Sequence, residues 1–414
     1  MSNLTEQLRL AVEQIIKRTT ATRDESKKGT SRSRSMGKKE SGTNMLGEIL
    51  NLPNPHSARK SPIWEGPAGK GPNGGVSYSM LCRWLTCRER FRLYVAEGLK
   101  AQEHFNIRLE FGNLWHIAEE AYAKSPETSS WAAAIQSYTK QLLAKYPFSK
   151  DQVLHWSEVC RITFPIYLNY WSKRYAAENR VSVFREKSFS VMYALPSGRQ
   201  VRLRGKWDNV DIVGEGSSRV AELTDHKTKG EIDEEKLTTQ LLFDLQTMTY
   251  AVAFEEYRKQ MDPKWSRYVG PLTRIRYNVI RRPLSGGAGS IRQHKPTKKK
   301  PQGESREEFY SRLGKIIETA PETYFMRWGV EITEDDIKRF RVECLDPILA
   351  NLCAWWDHVA IAHDPFMGSN GLHWRHPYGI HHVLDQGGST DLDNYLACGT
   401  MAGLQQVDNL FPEL

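Results

Sequence analysis

The feature that most constrains this chain is a pair of acidic segments between Gly205 and Thr228. The first segment reads Gly-Lys-Trp-Asp and ends at Asp208, and the second reads Asp-His-Lys-Thr and begins at Asp225. Each has the composition of a strand, and a short turn joins them. Lys227 follows Asp225 by two residues, so both side chains lie on one face of their strand. The sequence therefore predicts two carboxylates and one amine at a single point of a sheet.

This trio of side chains is suited to phosphodiester chemistry. Carboxylate oxygens are the ligands that Mg²⁺ and Mn²⁺ prefer, and a cation held beside a phosphodiester polarises it and makes a bound water nucleophilic. Lys227 can orient that water or stabilise the charge that develops on the phosphate oxygens. The alternative is a simple ion pair on a hairpin, and an Asp-x-Lys triplet alone favours that alternative.

Two helical segments flank the acidic pair. Upstream, the stretch Gly-Asn-Leu-Trp-His-Ile-Ala-Glu-Glu places His116 and Glu120 four residues apart, and therefore on one helical face. Downstream, Gln246 and Tyr250 have the same spacing within residues 236–257, which the sequence predicts to be helical. The order along the chain is thus a helix with His, a strand with Asp, a strand with Asp-x-Lys and a helix with Gln-x-x-x-Tyr.

This order resembles the RecB-like branch of the PD-(D/E)XK nucleases, which includes the AddB nuclease domain, the CRISPR-adaptation nucleases and many phage exonucleases. The resemblance runs from about Ser77 to about Gln386, and four motifs in register are far more specific than any one of them. It implies an α/β fold of the restriction-endonuclease-like type, with a mixed β-sheet core flanked by helices and an N-terminal helical cap.

The resemblance also implies the ligands of a metal site. His116, Asp208 and Asp225 would bind the metal, together with the backbone carbonyl of His226. Glu120 would support the catalytic site from behind the ligands or through a water molecule. The His226 imidazole points to the strand face opposite Asp225, so it is not counted as a ligand.

Two further roles follow from the same resemblance. Lys227 would be the catalytic lysine, acting with Asp208 and Asp225. Gln246 and Tyr250 would lie beside the active site and contact the DNA strand that is cut.

The positive charge of the chain is concentrated in two segments. The net charge is +9, and residues 1–75 and 281–305 each contribute +6, which leaves −3 on the remainder. Both segments are rich in Gly, Ser, Pro and Lys, a composition typical of a flexible tail and a flexible loop. We expect them to bind DNA phosphates without reading sequence, with contacts from Lys298, Lys299 and Lys300. Solvated charge that only favours solubility is the alternative.

The composition predicts a flexible basic extension, 1–75, followed by a nuclease domain, 76–414, that contains the basic loop 281–305. An apolar fraction of 39% supports a sizeable core in a chain of 414 residues. Hydrophobic spacing predicts helices at 108–124, 130–145, 151–177, 305–319 and 333–358. Strands are predicted at Val181–Ala194, Gln200–Val213, Arg219–Lys227 and Leu272–Arg282.

A histidine cluster near the C-terminus suggests a second metal site. AddB-like and CRISPR-adaptation nucleases close an iron–sulfur site with one N-terminal cysteine and a C-terminal Cys-x2-Cys-x5-Cys. Here Cys87 stands in the opening helix, but the C-terminal positions read His373-x2-His376-x5-His382. One thiolate and three imidazoles suit a structural Zn²⁺, whereas a cubane cluster normally requires four thiolates, so no iron–sulfur cluster is expected. The alternative is a His-rich loop left by a lost cluster, in contact with DNA or with nothing.

These observations predict a Mg²⁺- or Mn²⁺-dependent deoxyribonuclease, an exonuclease that acts on DNA ends or single strands in recombination, repair or phage DNA processing. The chain contains no Gly-x4-Gly-Lys-[Ser/Thr] motif for ATP binding, so any helicase that acts with it would be a separate protein. A single-strand annealing protein would likewise be a separate partner. A structure-selective or restriction-like endonuclease is the alternative among enzymes. A catalytically silent DNA-binding subunit is a further alternative, and the intact set of Asp208, Asp225 and Lys227 argues against it.

The sequence also predicts a compartment. No apolar run approaches the roughly 18 residues that span a bilayer. Glu6, Arg9 and Glu13 interrupt the apolar residues of the N-terminus, unlike in a signal peptide. Six cysteines without dense spacing do not suggest a disulfide framework. We therefore expect a cytoplasmic protein, at the nucleoid or in a phage-infected cell, with no membrane partner.

Overall fold

The structure is a computed structural model of the chain. It describes residues 62–86, 88–101, 104–126, 129–175, 180–287, 289–298, 300–362, 404–412 and 414. Among these residues, no helix combines the length and the apolar character needed to cross a membrane.

A mixed sheet of six strands forms the centre of the described part of the chain. The strands are β1 (Val76–Ser77), β2 (Leu99–Ala101), β3 (Arg180–Ala194), β4 (Gln200–Val213), β5 (Val220–Lys229), β6 (Leu272–Arg281), β7 (Phe325–Glu331) and β8 (Leu404–Gln406). The sheet has the order β1-β4-β5-β6-β7, and β3 pairs with β4. β1–β4 and β5–β6 are parallel pairs, whereas β3–β4, β4–β5 and β6–β7 are antiparallel. β2 and β8 form a separate antiparallel pair.

Helices precede, connect and follow these strands. They are α1 (Tyr78–Thr86), α2 (Arg88–Phe91), α3 (Ile107–Lys124), α4 (Ser130–Lys145), α5 (Lys150–Tyr175), α6 (Glu234–Leu241), α7 (Leu245–Lys259), α8 (Pro263–Val269), α9 (Arg306–Thr319), α10 (Glu334–Phe340) and α11 (Asp346–Ala362). Single π-helical turns follow α2 and α10, at Arg92–Ala96 and Arg341–Leu345.

Strand β4 forks away from β5 at the centre of the sheet. It pairs with β3 along its whole length, but with β5 only between Asn209 and Val213. Nearer its start it pairs with the short strand β1, at Leu203 and Arg204. Asp208 is therefore the last β4 residue before pairing with β5 begins, and it stands at the apex of the fork.

Each face of the sheet has its own hydrophobic core. On one face, α7 buries Val252 and Phe254 in a cluster with Trp207 of β4. On the other face, α3 and α5 bury a second cluster that includes Trp115 and Phe164. A sheet with both parallel and antiparallel pairs, covered by helices on both faces, confirms the predicted fold class.

Most predicted elements lie close to observed ones, but one predicted helix is broken and another contains a π-helical turn. The helix predicted at 236–257 was wrong as a single element, because Phe243 adopts a left-handed φ of 52° and breaks it. The Asp244 side chain then accepts hydrogen bonds from the amides of Gln246 and Thr247, as the N-cap of a new helix. The helix predicted at 333–358 is observed as one continuous helical run, in which a π-helical turn at Arg341–Leu345 connects α10 and α11.

Candidate active site

Helix α3 presents His116 to the fork. The preceding residue, Trp115, is buried and packs against Phe164 and Tyr167 of α5, with ring centroids 5.2 and 5.1 Å apart. Successive helical residues are about 100° apart around the axis. His116 therefore turns from the α5 contact towards the sheet, where it meets residues of β3 and β4.

His116, Glu186 and Asp208 form a cluster of ligand atoms that we call the metal group. His116 Nδ1 lies 3.3 Å from Glu186 Oε1 and 3.8 Å from Asp208 Oδ1. All three ligand atoms lie within 4.8 Å of one another, and no other such trio of His, Cys, Asp or Glu occurs among the described residues. With metal–ligand bonds of about 2.1 Å, octahedral donors are about 3 Å (adjacent) to about 4.2 Å (opposite) apart. The two separations from His116 fit that range, so this donor set suits a divalent cation.

Glu186 is the member of the metal group that the sequence analysis missed. Its φ of 46° breaks the regular alternation of β3. In a regular strand, side chains an odd number of residues apart lie on opposite faces. Phe184 and Phe189 have such a spacing, yet both pack on the Trp207 ring, with ring centroids 5.8 and 4.4 Å away. The second Glu186 oxygen pairs with Lys206 at 2.6 Å. The available signal was the charged run Arg-Glu-Lys inside an otherwise alternating strand.

Negative charge is concentrated at the apex of the fork. Asp208 Oδ2 accepts a hydrogen bond from the His226 amide at 2.7 Å. Burial, with Asp225 and Glu186 close by, raises the pKa of Asp208 to about 7, although His116 opposes the shift. Burial would lower the pKa of His116, but the charges of Asp208 and Glu186 outweigh it and raise that pKa to about 9. The cluster therefore favours a bound positive charge, which a proton on His116 supplies in the absence of a metal.

Asp225 and Lys227 lie on the other face of the fork, towards α7. Lys227 Nζ is 3.2 Å from Asp225 Oδ1 and 2.9 Å from Oδ2, and it also donates to Gln246 Oε1. Burial would lower the pKa of Lys227, but the charge of Asp225 outweighs it and raises that pKa, so the amine stays protonated. Of the predicted side-chain ligands, the structure brings His116 and Asp208 together and leaves Asp225 paired with Lys227.

The hydrogen bonds of His226 fix its tautomer. Arg327 can only donate, and its Nε bonds Asn278 Oδ1 at 3.2 Å, so the amide of Asn278 is oriented with Nδ2 towards Tyr167 and His226. His226 Nδ1 accepts from that Nδ2 at 2.7 Å, and a neutral ring must then carry its proton on Nε2. Burial lowers the pKa of His226 to about 3, which keeps it neutral. The ring lies on the face opposite Asp225, as the alternation predicts, and its centroid is 5.9 Å from that of His116.

Two adjacent glutamates of α3 differ in their surroundings. Glu120 pairs with Lys124 at 2.6 Å. Glu119 Oε1 lies 3.9 Å from His226 Nδ1 and is buried without a hydrogen-bond partner among the described residues. Burial raises the pKa of Glu119. The four-residue spacing with His116 points to Glu120, whereas Glu119 is the glutamate nearer to His226.

The Gln-x-x-x-Tyr pair lies on the first two turns of α7. Gln246 contacts Lys227 directly. The Tyr250 ring packs edge-on against Phe189 at 5.4 Å. A Cβ at Gly205 would come within 2.6 Å of the Phe189 ring and 3.1 Å of the Tyr250 ring, so glycine is required for this close approach.

A cavity of about 630 Å³ begins at the metal group and continues between α3, α5 and the sheet. Its walls include Glu119, Glu120, Glu186, Asp208 and His226. The cavity therefore opens onto the two carboxylates of the metal group, Glu186 and Asp208.

The far end of this cavity is held by a ladder of ion pairs. Asp211 pairs with Arg185 at 2.8 Å, and Glu222 pairs with Arg180 at 2.7 Å and with Arg276 at 2.8 Å. Both carboxylates are 1% exposed. Three guanidinium groups thus share two buried carboxylates, and these ion pairs hold β3, β4, β5 and β6 together at this end of the cavity.

The basic loop 281–305 is held to α9. Glu304 accepts two hydrogen bonds from Arg312, and Lys300 Nζ is 2.5 Å from Glu308. Lys298 is exposed. Several predicted features lie outside the described residues: Lys299, residues 1–61 of the predicted basic extension 1–75, and the predicted zinc ligands Cys87, His373, His376 and His382.

Comparison with known families matches residues 75–344 to the family model described as the PD-(D/E)XK nuclease superfamily. No curated protein matches the chain. The matched segment contains the metal group, the Asp225–Lys227 pair and the helices that carry His116 and Gln246.

Proposed function

Because the chain belongs to the PD-(D/E)XK nuclease superfamily, we propose that it is a Mg²⁺- or Mn²⁺-dependent deoxyribonuclease. The observation that carries the proposal is the metal group at the apex of the fork, with the Lys227 ammonium on the neighbouring strand. The resemblance to the RecB-like branch supports action on DNA ends or single strands. Any helicase or annealing protein that works with it would be a separate chain.

His116, Glu186 and Asp208 would hold the cation. When bound, a divalent cation there polarises the phosphodiester and lowers the pKa of a bound water. The His226 amide holds Asp208 in place, and Lys206 holds the second oxygen of Glu186. These contacts fix the orientation of both carboxylates before substrate arrives, so little reorganisation is needed in the reaction.

Lys227 acts as a charge stabiliser in this proposal. Hydrolysis forms a bond from the water oxygen to phosphorus and breaks one phosphorus–oxygen ester bond, while negative charge grows on the non-bridging oxygens. Lys227 remains an ammonium, so it can donate hydrogen bonds to those oxygens but cannot accept the proton of the water. Asp225 and Gln246 fix the position of its Nζ. The electrostatic contribution of such a preorganised donor is typically large.

The proposal is tested with purified protein, Mg²⁺ or Mn²⁺, and three substrates: end-labelled linear duplex, single strands and covalently closed circles. We expect cleavage of linear DNA or single strands, with circles intact. Asp208→Asn, which keeps the size of the side chain, is the matched control and should be inactive. Nicked circles would replace the exonuclease assignment by an endonuclease, and no cleavage of any substrate would refute the nuclease assignment.

A further inference from the structure

Two adjacent apolar side chains are exposed at the turn between α6 and α7. Leu242 is 51% exposed and Phe243 is 36% exposed, whereas Leu237 and Leu241 of the preceding helix are buried. Single exposed apolar residues are common on protein surfaces. An exposed Leu-Phe pair at a turn next to a candidate active site calls for a specific explanation.

The backbone of this turn is strained. Phe243 has a φ of 52°, a left-handed conformation that bulky side chains rarely adopt and that glycine adopts freely. Among the described residues, the other non-glycine residue with positive φ is Glu186, a member of the metal group. Strain of this kind persists where the surrounding structure enforces it, often at functional sites. Backbone strain is therefore found both in the metal group and at this turn.

The turn is anchored beside Lys227. Asp244, the next residue, accepts hydrogen bonds from the amides of Gln246 and Thr247 and from the Tyr277 hydroxyl, the last at 2.6 Å. Gln246 in turn accepts a hydrogen bond from Lys227. The Leu242–Phe243 pair therefore precedes a rigid N-cap that is linked to Lys227 through one side chain.

A cation near the same turn favours a nucleic acid over a protein as the partner. Lys229 follows Lys227 by two residues in β5, so both side chains lie on the same face of the strand. Because Lys227 is hydrogen-bonded to Gln246 at the start of α7, a phosphate held by these cations would belong to a nucleotide whose base can reach Phe243. Aromatic side chains stack on any base, because every base has a π face.

We propose that Leu242 and Phe243 form an apolar tip that contacts an unpaired nucleobase next to the phosphate being cut. This inference rests on the proposed nuclease function and extends it. The tip holds the base by stacking, so the scissile phosphate is placed by Lys227 on one side and by the base contact on the other. The substrate is then a single strand or a frayed end rather than intact duplex.

The test is a scan of single-stranded oligonucleotides in which one nucleotide at a time lacks its base. In wild-type protein, removal of one base beside the cleaved bond should lower cleavage roughly tenfold or more, as loss of one stacking contact does. In Phe243→Gly, which accepts the same backbone conformation, the same lesion should have little further effect. Phe243→Trp should keep the wild-type response.

The controls separate the tip from folding. Phe148→Ala removes a fully exposed phenylalanine from the Pro147–Ser149 turn between α4 and α5, and it should leave the scan unchanged. Thermal melting checks each variant, and Leu242→Ala provides a second variant of the tip. A flat scan in wild type, or an equal response to the lesion in wild type and Phe243→Gly, would overturn the proposal.

A failed nuclease assignment gives a different result. If wild-type protein cuts no substrate, the affinity for the same set of oligonucleotides is measured in EDTA instead. Loss of the base should then weaken binding to wild-type protein but leave binding to Phe243→Gly unchanged. Affinity that ignores the missing base in both proteins would refute the base contact independently of catalysis.

Discussion

The two faces of the fork solve the problem of buried charge in opposite ways. On the face towards α3, the metal group places two carboxylates around one imidazole, and the pKa of Asp208 rises to about 7 in response to burial. On the face towards α7, Asp225 has an ammonium partner, Lys227, within 2.9 Å. On the first face Glu186 also pairs with Lys206 and Asp208 faces the imidazole of His116, whereas on the second face Asp225 pairs directly with an ammonium.

This difference assigns the two faces different work. A cluster of two carboxylates and an imidazole that can release its proton binds a cation, whereas a carboxylate–ammonium pair keeps a cationic side chain in a fixed place. Burial raises the pKa of both Asp208 and Asp225, so the two faces differ in what the loss of the carboxylate leaves behind. Loss of Asp208 leaves an imidazole that can become neutral, whereas loss of Asp225 leaves the ammonium of Lys227 buried.

The largest effect is expected for Asp208→Asn. Cleavage should fall by about 10³-fold or more, because a metal ligand is lost. Stability in EDTA at about pH 8 should not fall, since the folded-state pKa of Asp208 lies above its ordinary 3.8. A raised carboxyl pKa means that the ionised group destabilises the fold increasingly as pH rises from 3.8 to about 7.

The matched variant on the other face is Asp225→Asn, which leaves the Lys227 ammonium buried without its carboxylate; this penalty should exceed the gain from removing a carboxylate whose own pKa is raised by burial. Thermal melting of both variants in EDTA provides the comparison. Asp225→Asn should melt below wild type and Asp208→Asn should not. The contrast between the faces would fail if both variants changed the melting temperature in the same direction.

The next largest effect is expected for Lys227→Met, which keeps the length of the side chain. Cleavage should fall by about 10²-fold to 10³-fold through loss of charge stabilisation. Affinity for Mn²⁺ should stay within about twofold, because Lys227 lies outside the metal group. Leaving Asp225 buried and unpaired should cost up to about 3 kcal/mol of stability. Calorimetric titration with Mn²⁺ distinguishes this outcome from that of Asp208→Asn, whose metal binding should be lost.

A smaller effect is expected from pH. His116, with a pKa of about 9, and Asp208, with a pKa of about 7, must both release a proton to bind a cation. Affinity for Mn²⁺ should therefore fall by about tenfold per pH unit below pH 9, and more steeply below pH 7. Titration in buffers of different ionisation enthalpy measures the protons released. His116→Gln should remove the upper part of this dependence, and a pH-independent affinity would contradict the geometry of the metal group.

The smallest effect is expected for Asn278→Asp. Asn278 is fully buried and directs its amide nitrogen at His226 Nδ1, at 2.7 Å. A carboxylate there requires a proton on Nδ1, so the tautomer of His226 should invert or the ring should become charged. Nitrogen NMR of labelled histidine reads this directly. Cleavage should change by less than about tenfold, since the amide of His226, and not its ring, holds Asp208. An unaltered His226 signal would show that the assigned orientation of Asn278 is wrong.

The sequence predicted the sheet and its catalytic strands because these depend on local patterns. Alternation and turn residues define β4 and β5, and the four-residue spacing of His116 and Glu120 defines the helical face that meets them. The superfamily is confirmed, while the RecB-like branch, the zinc site and the exonuclease activity stay predictions. The ligand set could not be derived in the same way. Glu186 enters the metal group through a break in strand alternation.

The buried partners of the site were also beyond sequence analysis. Asn278 of β6 contacts His226, and Arg327 of β7 contacts Asn278 in turn; both strands lie far along the chain. Such contacts depend on the order of strands in the sheet, and no spacing rule predicts them. The break at Phe243 was missed for a related reason, because a continuous apolar pattern concealed a residue in a left-handed conformation.

Glu186 also has a consequence for how this chain can change under selection. A glutamate at a φ of 46° is less favourable for the fold than a glycine would be, by about 1 kcal/mol or more. A library of variants sorted only for thermal stability should therefore accumulate glycine or asparagine at position 186, and those clones should be inactive. The most stable descendants of this chain would then be ones that have discarded a metal ligand, and only a screen for cleavage would retain the carboxylate.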